Sequence, residues 1–365
     1  MLIKNVPTSI ALTTFFSICL LFQKGKTTFD KISVDPPDMT TFSSEQIYSA
    51  LIGVAIGDAL GVPYEFSTRT KMQAFPATDM IGYGSHQQPP GTWSDDSSMT
   101  FCLAEALANE TFSLKVLSTY FLQWESEGFW TARGEVFDIG ITTAESLTEL
   151  RGILRSGKEE ALSHLRWHAQ EFDNGNGSLM RILPLLFYLQ GKPIHEQFEI
   201  TWQVSALTHK HVRAAMSCLI YLKLGEYLLQ GQDKSTAYSS MKKDILDFWN
   251  QMDFPSTERV VFSRLIAHDI RNIPETELKS GGYVIEVLES SIYFFLMRDR
   301  YQDIVLSIIN LGHDTDTSAA IAGGLAGLYY TAENIPSSWI IAVARQSDIQ
   351  NLAKRMHHRL QQVEK

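Results

Sequence analysis

The stretch Gly312-His313-Asp314-Thr315-Asp316-Thr317-Ser318, running on into Ala319-Ala320-Ile321-Ala322-Gly323-Gly324-Leu325-Ala326-Gly327-Leu328, decides how the chain is read. A short polar segment sits between this apolar run and an earlier one, Ile304-Val305-Leu306-Ser307-Ile308-Ile309. Carboxylates flanked so closely by apolar, small-residue helix are drawn toward the interior, where they are costly unless paired or metal-bound. Aspartates at i and i+2, with hydroxyls between and after them, offer the hard oxygen ligands that Mg2+, Mn2+ or Ca2+ prefer. The same residues could simply start a helix, with Thr317 or Ser318 as N-cap and Asp316 favoured by the helix dipole. Taken alone, the segment leaves both readings standing.

A second cluster tips the balance. Gly91-Thr92-Trp93-Ser94-Asp95-Asp96-Ser97-Ser98-Met99-Thr100 also runs straight into an apolar helix, Phe101-Cys102-Leu103-Ala104-Glu105-Ala106-Leu107. Adjacent carboxylates repel, and a cation between them holds both ionised at least cost. Two such clusters, each at a helix N-terminus, can converge on one site and nearly fill two octahedral ions that also keep waters.

Outward from these clusters the chain is helical in tone. Ser44-Glu45-Gln46 can cap a helix through Ile47, Leu51, Val54, Ala55 and Leu60, and Gly53, Gly57 and Gly61 recur every four residues on one face, which lets a neighbour come close. Helical periodicity recurs over 112–124, 183–189, 204–229, 283–295, 303–309 and 318–330, while alternating strand patterns are nearly absent. The expectation is an all-α fold, one compact domain over 45–350, with 351–365 as the tail of the last helix. Neither internal repeats nor low-complexity tracts are visible.

Composition bounds the function classes. A chain of 365 residues with net charge −10 has ample apolar material for a core and disfavours a nucleic-acid surface. Its only cysteines, Cys19, Cys102 and Cys218, are too few and too scattered for a disulfide framework or zinc site, and they fit a reducing, cytoplasmic compartment. Residues 1–44 form a distinct extension. Lys4 precedes an apolar run over 10–22 that is short for a membrane span but suits a signal-peptide core, and no small-x-small cleavage site follows. Three readings stay open: a cryptic export signal over 1–24, an arm that docks on a partner, or upstream sequence before a true start at Met39. The arm and the upstream start rank above export, and no membrane association is expected.

Other polar constellations interrupt the helices. Asp58 lies on a small-residue face and reads as a structural acceptor at a buried turn, while Glu65 follows Pro63 in a loop where a carboxylate is ordinarily solvated. Phe137-Asp138-Ile139-Gly140-Ile141 resembles a helix entrance with an acid in front. Asp173-Asn174-Gly175-Asn176-Gly177-Ser178 has glycines that let backbone N–H groups approach a phosphate. Thr208-His209 supplies a histidine that a buried hydrogen bond would explain equally well, and Ser280-Gly281-Gly282-Tyr283 reads as a tight turn.

Taken in series, these motifs resemble the ADP-ribosylglycohydrolase family, all-helical enzymes that include dinitrogenase-reductase-activating glycohydrolase and ADP-ribosyl-arginine hydrolases. The matching elements are Gly57-Asp58-Ala59-Leu60-Gly61, Ser94-Asp95-Asp96-Ser97-Ser98-Met99, Phe137-Asp138-Ile139-Gly140, Asn176-Gly177-Ser178-Leu179-Met180-Arg181, Thr208-His209, Gly282-Tyr283-Val284 and Gly312-His313-Asp314-Thr315-Asp316-Thr317. They arrive in family order and cover nearly everything past residue 44. Two departures are visible: Ser94 and Ser97 replace the usual threonines and keep their hydroxyls, and His313 stands where a smaller residue is expected.

The resemblance implies a binuclear site for two Mg2+ or Mn2+ ions, with Ser94, Asp95, Asp96, Asp314, Asp316 and Thr317 as ligands and Asp316 as a bridge. It implies ADP-ribose across that site, with its diphosphate on Asn176, Gly177 and Ser178, and with His209 and the Asp138-Ile139-Gly140 turn lining sugar and phosphate. The implied reaction is hydrolysis of ADP-ribose from a modified protein side chain, first of all N-linked arginine. Metals would orient the ribose and activate water, Asp96 or Asp314 would be the base, and Glu65 an outer acid/base or gate. Two further readings stay beside it. One is an immunity or binding protein that docks on an ADP-ribosylating toxin through the extension. The other is hydrolysis of another bond, O-linked ADP-ribosyl-serine or a phosphoester.

Overall fold

The computed structural model describes residues 42–170 and 172–363. The arm, signal and upstream-start readings fall on residues 1–41, outside the described residues, and with them the docking of a toxin. The principal helices are α1 (Ser44–Gly61), α2 (Asp95–Ala108), α3 (Leu114–Glu127), α4 (Ile141–Ser156), α5 (Ile194–Ala206), α6 (Val212–Leu229), α7 (Lys234–Gln251), α8 (Val284–Met297), α9 (Tyr301–Ile309), α10 (Thr315–Tyr330) and α11 (Gln346–Val363), joined by shorter helical turns. The described residues contain no strand, only the isolated bridges Tyr83↔Gln88 and Gly175↔Tyr283, so the fold is all-α as expected.

The centre of the molecule is the pairing of α1 with α10. Both helices are apolar and buried almost all round, so neither shows a solvent face. A Cβ added at Gly57 would overlap the Ala319 carbonyl, and one added at Gly53 would overlap the Gly323 carbonyl. The four-residue glycine spacing therefore lets two backbones touch. Buried carbonyls at this contact are satisfied by tyrosines: Tyr301 Oη donates to Gly53 O at 2.7 Å, and Tyr221 Oη donates to Ile321 O at 2.9 Å. By length and apolarity Ser44–Tyr64 could cross a membrane, yet it is a core helix, 94% buried within the protein.

Helix boundaries differ from expectation in three places. The cap of α1 lies one residue early: Gln46 N donates to Ser43 Oγ at 3.2 Å, and Ser43 N donates to Gln46 Oε1 at 2.8 Å. The single helix expected over 204–229 is two, α5 and α6, because the chain turns at 207–211 and His211 Nδ1 caps α6 by accepting from Arg213 N at 3.1 Å. α10 begins at Thr315, so Asp314 and not Thr317 or Ser318 is its N-cap residue. The last helix, α11, starts at Gln346 and buries Ile349, Leu352, Ala353, Met356 and Leu360 against α1 and α2.

Candidate metal centre

Three helix ends meet at one point: the C-terminal turn of α1 and the N-termini of α2 and α10. A Cβ at Gly61 would overlap the Asp316 backbone, and Thr315 Oγ1 donates to Gly61 O at 2.8 Å, so α10 enters directly against the end of α1. Asp58 ties α2 to the same place. Fully buried, it accepts from Ser94 N at 2.9 Å, Ser97 N at 3.0 Å and Ser97 Oγ at 2.6 Å. It thus serves as the missing acceptor for the first turn of a neighbouring helix, which matches its structural reading. Burial raises its carboxyl to about 6, against the pull of those donors.

Asp96 and Asp316 face each other across this junction, with Asp58, Asp96 and Asp316 offering oxygens within 4.8 Å of one another. Ser94 Oγ donates to Asp96 Oδ2 at 2.8 Å, and Thr317 Oγ1 reaches the same oxygen at 3.4 Å, so a hydroxyl from each acidic turn lands on one carboxylate. Asp316 Oδ1 accepts from Thr317 N at 3.0 Å. The remaining oxygens, Asp96 Oδ1 and Asp316 Oδ2, are buried without a partner. Burial first, then neighbouring carboxylates, push Asp95, Asp96 and Asp316 well above the usual carboxylate range.

An outer group adjoins the inner one. Glu65, His86, Asp138 and Asp316 bring ligand atoms within 4.8 Å of one another, so Asp316 belongs to both groups. Glu65 is buried at 8% exposure, contrary to a solvated loop residue, because Phe66 N donates to His313 O at 2.7 Å and His313 N donates to Ser67 O at 2.7 Å. These bonds lace its loop to the α10 entrance. His86 contacts the Glu65 carboxylate, which raises the imidazole, while burial raises Glu65. Asp314 is half-buried, and its Oδ2 accepts from Asn176 Nδ2 at 2.7 Å. Charge repulsion with Asp95 places Asp314 in the same electrostatic neighbourhood. His86 was not singled out in the sequence: an isolated histidine in a glycine-proline loop carries no spacing, and only its nearness to Ser94 could have drawn notice.

The glycine loop is a 3-10 turn, Asn176–Ser178. Asn176 N donates to Gly282 O at 3.0 Å and Val284 N to Asn174 O at 3.2 Å, so the Ser280–Tyr283 turn carries it. Asn176 and Gly177 face the centre and His209. Ser178 does not bring its hydroxyl there: that group lies in the core, 2.8 Å from Ser205 Oγ, which leaves only its backbone for a ligand. Gly140 is the N-cap residue of α4, with half-buried Asp138 and Ile139 before it.

The donor set fits a divalent cation. Asp58, Glu65, Asp95, Asp96, Asp138, Asp314 and Asp316 interact with one another, yet no lysine or arginine forms an ion pair with any of them among the described residues. Two helix N-termini offset part of this negative charge, but each contributes only about half an elementary charge. Two orphaned carboxylate oxygens and two hydroxyls at the focus complete an all-oxygen set suited to a hard divalent cation.

Fold and site together define an all-helical protein with a carboxylate metal-type centre set at helix N-termini. The family model of the ADP-ribosylglycohydrolases matches residues 39–365, and the chain belongs to that family. It is 29% identical over 323 residues to ADP-ribosylarginine hydrolase Tri1 of Serratia proteamaculans, covering 87% of this chain and 80% of that one. It is 26% identical over 301 residues to ADP-ribosyl-[dinitrogen reductase] glycohydrolase of Rhodospirillum rubrum, covering 81% and 89%. Among solved structures, a chain titled "ADP-ribosylglycohydrolase-related protein complex" superposes with TM-score 0.69 at 26% identity, over 87% of this chain and 98% of that one. The family resemblance read from the sequence is thus borne out.

Proposed function

We propose that the protein hydrolyses the N-glycosidic bond between ADP-ribose and an arginine side chain of a modified protein. The observation that carries this reading is the pair of buried, unpartnered oxygens on Asp96 and Asp316, where the two acidic turns meet. Arginine is preferred because the relatives from Serratia proteamaculans and Pseudomonas putida are both named ADP-ribosylarginine hydrolases. Two Mg2+ or Mn2+ ions would be held by Ser94, Asp95, Asp96, Asp314, Asp316 and Thr317. When bound, they would supply Lewis-acid polarisation and fix the ribose hydroxyls.

The chain's own groups then divide the remaining work. Asp314 is the better placed base of the two expected, because Asn176 steers one oxygen while the residue stays half open. Asp96 Oδ2 is taken by the hydroxyls of Ser94 and Thr317, and its unpartnered Oδ1 is the atom left for a metal. Water adds at C1 of the ribose as the C–N bond breaks, and the bond's electron pair goes to the guanidine nitrogen. Asp314 takes the water proton, and that proton is released again to protonate the leaving guanidine, so none is gained or lost. Glu65, raised by burial and held by His86, can pass a proton between the centre and solvent. Such acid–base help typically contributes ~10²–10⁴-fold, and orientation provides much of the rest. His209, Asp138, Ile139, Gly140 and the Asn176–Ser178 turn would line the sugar and diphosphate.

The test is to incubate the protein with arginine- and serine-ADP-ribosylated substrates, with and without chelator. Release from the arginine substrate alone, lost on chelation, is expected. Release from serine only would overturn the linkage, and release from neither with added metal would overturn the hydrolase reading.

A further inference from the structure

Arg181 closes the glycine motif. Its surroundings give it a role in the site. The side chain is completely buried and has no acidic hydrogen-bond partner among the described residues. Nη1 donates to Gly177 O at 2.7 Å, Nη2 donates to Thr208 Oγ1 at 2.6 Å, and the guanidinium lies 4.8 Å from the centre of the Phe121 ring. A buried cation resting on neutral acceptors, these two and Met99 Sδ at 3.9 Å, is expensive. Gly177 belongs to the proposed substrate wall, and Thr208 directly precedes His209 in it.

Thr208 Oγ1 also lies 2.8 Å from Nδ1 of His209. A guanidinium can only donate, so the threonine oxygen is the acceptor toward Arg181 and its single hydrogen is left for the histidine. Nδ1 is therefore an acceptor, and the ring proton belongs on Nε2. The opposite tautomer would aim two donors at one hydroxyl and leave the hydroxyl hydrogen with no acceptor among the described residues. His209 is 4% exposed, and burial with the nearby Arg181 charge holds it down to about 3, so it stays neutral. The ring is seated against the loop: a Cβ at Gly177 would come 2.6 Å from Cε1, and one at Gly175 would come 3.2 Å from Nε2.

We propose that Arg181 and Thr208 are positioning residues, which fix His209 as the neutral Nε2–H tautomer and aim that single donor at an anion held on the Asn176–Ser178 turn. This rests on the reading that an ADP-ribose diphosphate binds there. One buried arginine then sets two features of the same wall, the Gly177 carbonyl and the histidine proton.

Thr208→Val removes the hydroxyl at nearly constant volume, and Thr208→Ser restores it. Long-range 15N–1H correlation spectra of the histidine ring identify the tautomer directly. Calorimetry with ADP-ribose and steady-state kinetics on the arginine substrate report its use. Wild type and Thr208→Ser should show the Nε2–H tautomer. Thr208→Val should mix the tautomers, weaken ADP-ribose about tenfold and raise KM by a similar factor with kcat nearly unchanged. An Nδ1–H or doubly protonated ring in the wild type would overturn the inference, as would a folded Thr208→Val with wild-type ADP-ribose affinity. A wild type that binds no ADP-ribose would instead overturn the proposed function, while the ring spectrum would still decide the tautomer.

Discussion

Asp316 is 1% exposed, receives one hydrogen bond from Thr317 N and presents its other oxygen to a cluster of like charges. In metal-free protein that oxygen is a liability, and under the proposed function it would be a ligand to a bound cation. Asp316→Asn is therefore expected to stabilise the metal-free protein by about 1–2 kcal/mol while abolishing hydrolysis. Denaturant unfolding in chelator, alongside the release assay, checks both parts. A metal-free variant less stable than wild type would make Asp316 a structural group. At this scale the sequence was informative wherever identity and spacing coincide, as in Asp95-Asp96 and Asp314-Thr315-Asp316. It was silent on His86, and on Ser97 as the second donor to Asp58, because their roles exist only once the loop of residues 65–86 and the end of α1 are folded against α2.

Among elements, the α1–α10 pair carries the geometry of the centre. Its glycine spacing was legible and correctly pointed to a close neighbour, although the identity of that neighbour was not. Gly57→Ala sets a methyl into the Ala319 carbonyl, with backbone and no flexible side chain to yield. Overpacking of this kind costs about 1–3 kcal/mol, offset by the ~1 kcal/mol that alanine gains over glycine inside a helix. Because the overlap is with backbone, the upper part of that range applies, and a net destabilisation of about 1–2 kcal/mol, seen as a lower denaturation midpoint, is the expected result. An unchanged or raised midpoint would mean the two helices are not in backbone contact. The break between α5 and α6 was missed for a related reason. Leu207, Thr208 and Val212 continue an apolar pattern, and what ends the helix is tertiary: Trp202 Nε1 donates to Lys210 O at 3.0 Å and Arg181 holds Thr208.

For the molecule as a whole, the convergence of two acidic turns far apart in sequence was inferable from their likeness, since each is a hydroxyl-carboxylate cluster entering an apolar helix. Which carboxylates would touch was not, because that depends on how three helix ends pack. The charge so gathered makes stability depend on pH in a definite direction. Asp58 rises from 3.8 to about 6, and Asp95, Asp96 and Asp316 rise well above 3.8, so metal-free folded protein holds protons that the unfolded chain has released. Stability is then fullest below the unfolded carboxylate range and falls as pH rises through the folded values, and the Asp58 shift alone is worth about 3 kcal/mol. A cation that replaces the protons of Asp95, Asp96 and Asp316 should restore their part of the loss.

The most direct measurement is the melting temperature of the wild type and of Asp316→Asn between about pH 4 and about pH 8, in chelator and in excess Mg2+ or Mn2+. The wild type is expected to melt lower in chelator as pH rises and to gain from cation an increase that grows with pH, most of which is lost in Asp316→Asn. A cation effect that is absent, independent of pH or equal in the two proteins would rule out a carboxylate metal centre at Asp316.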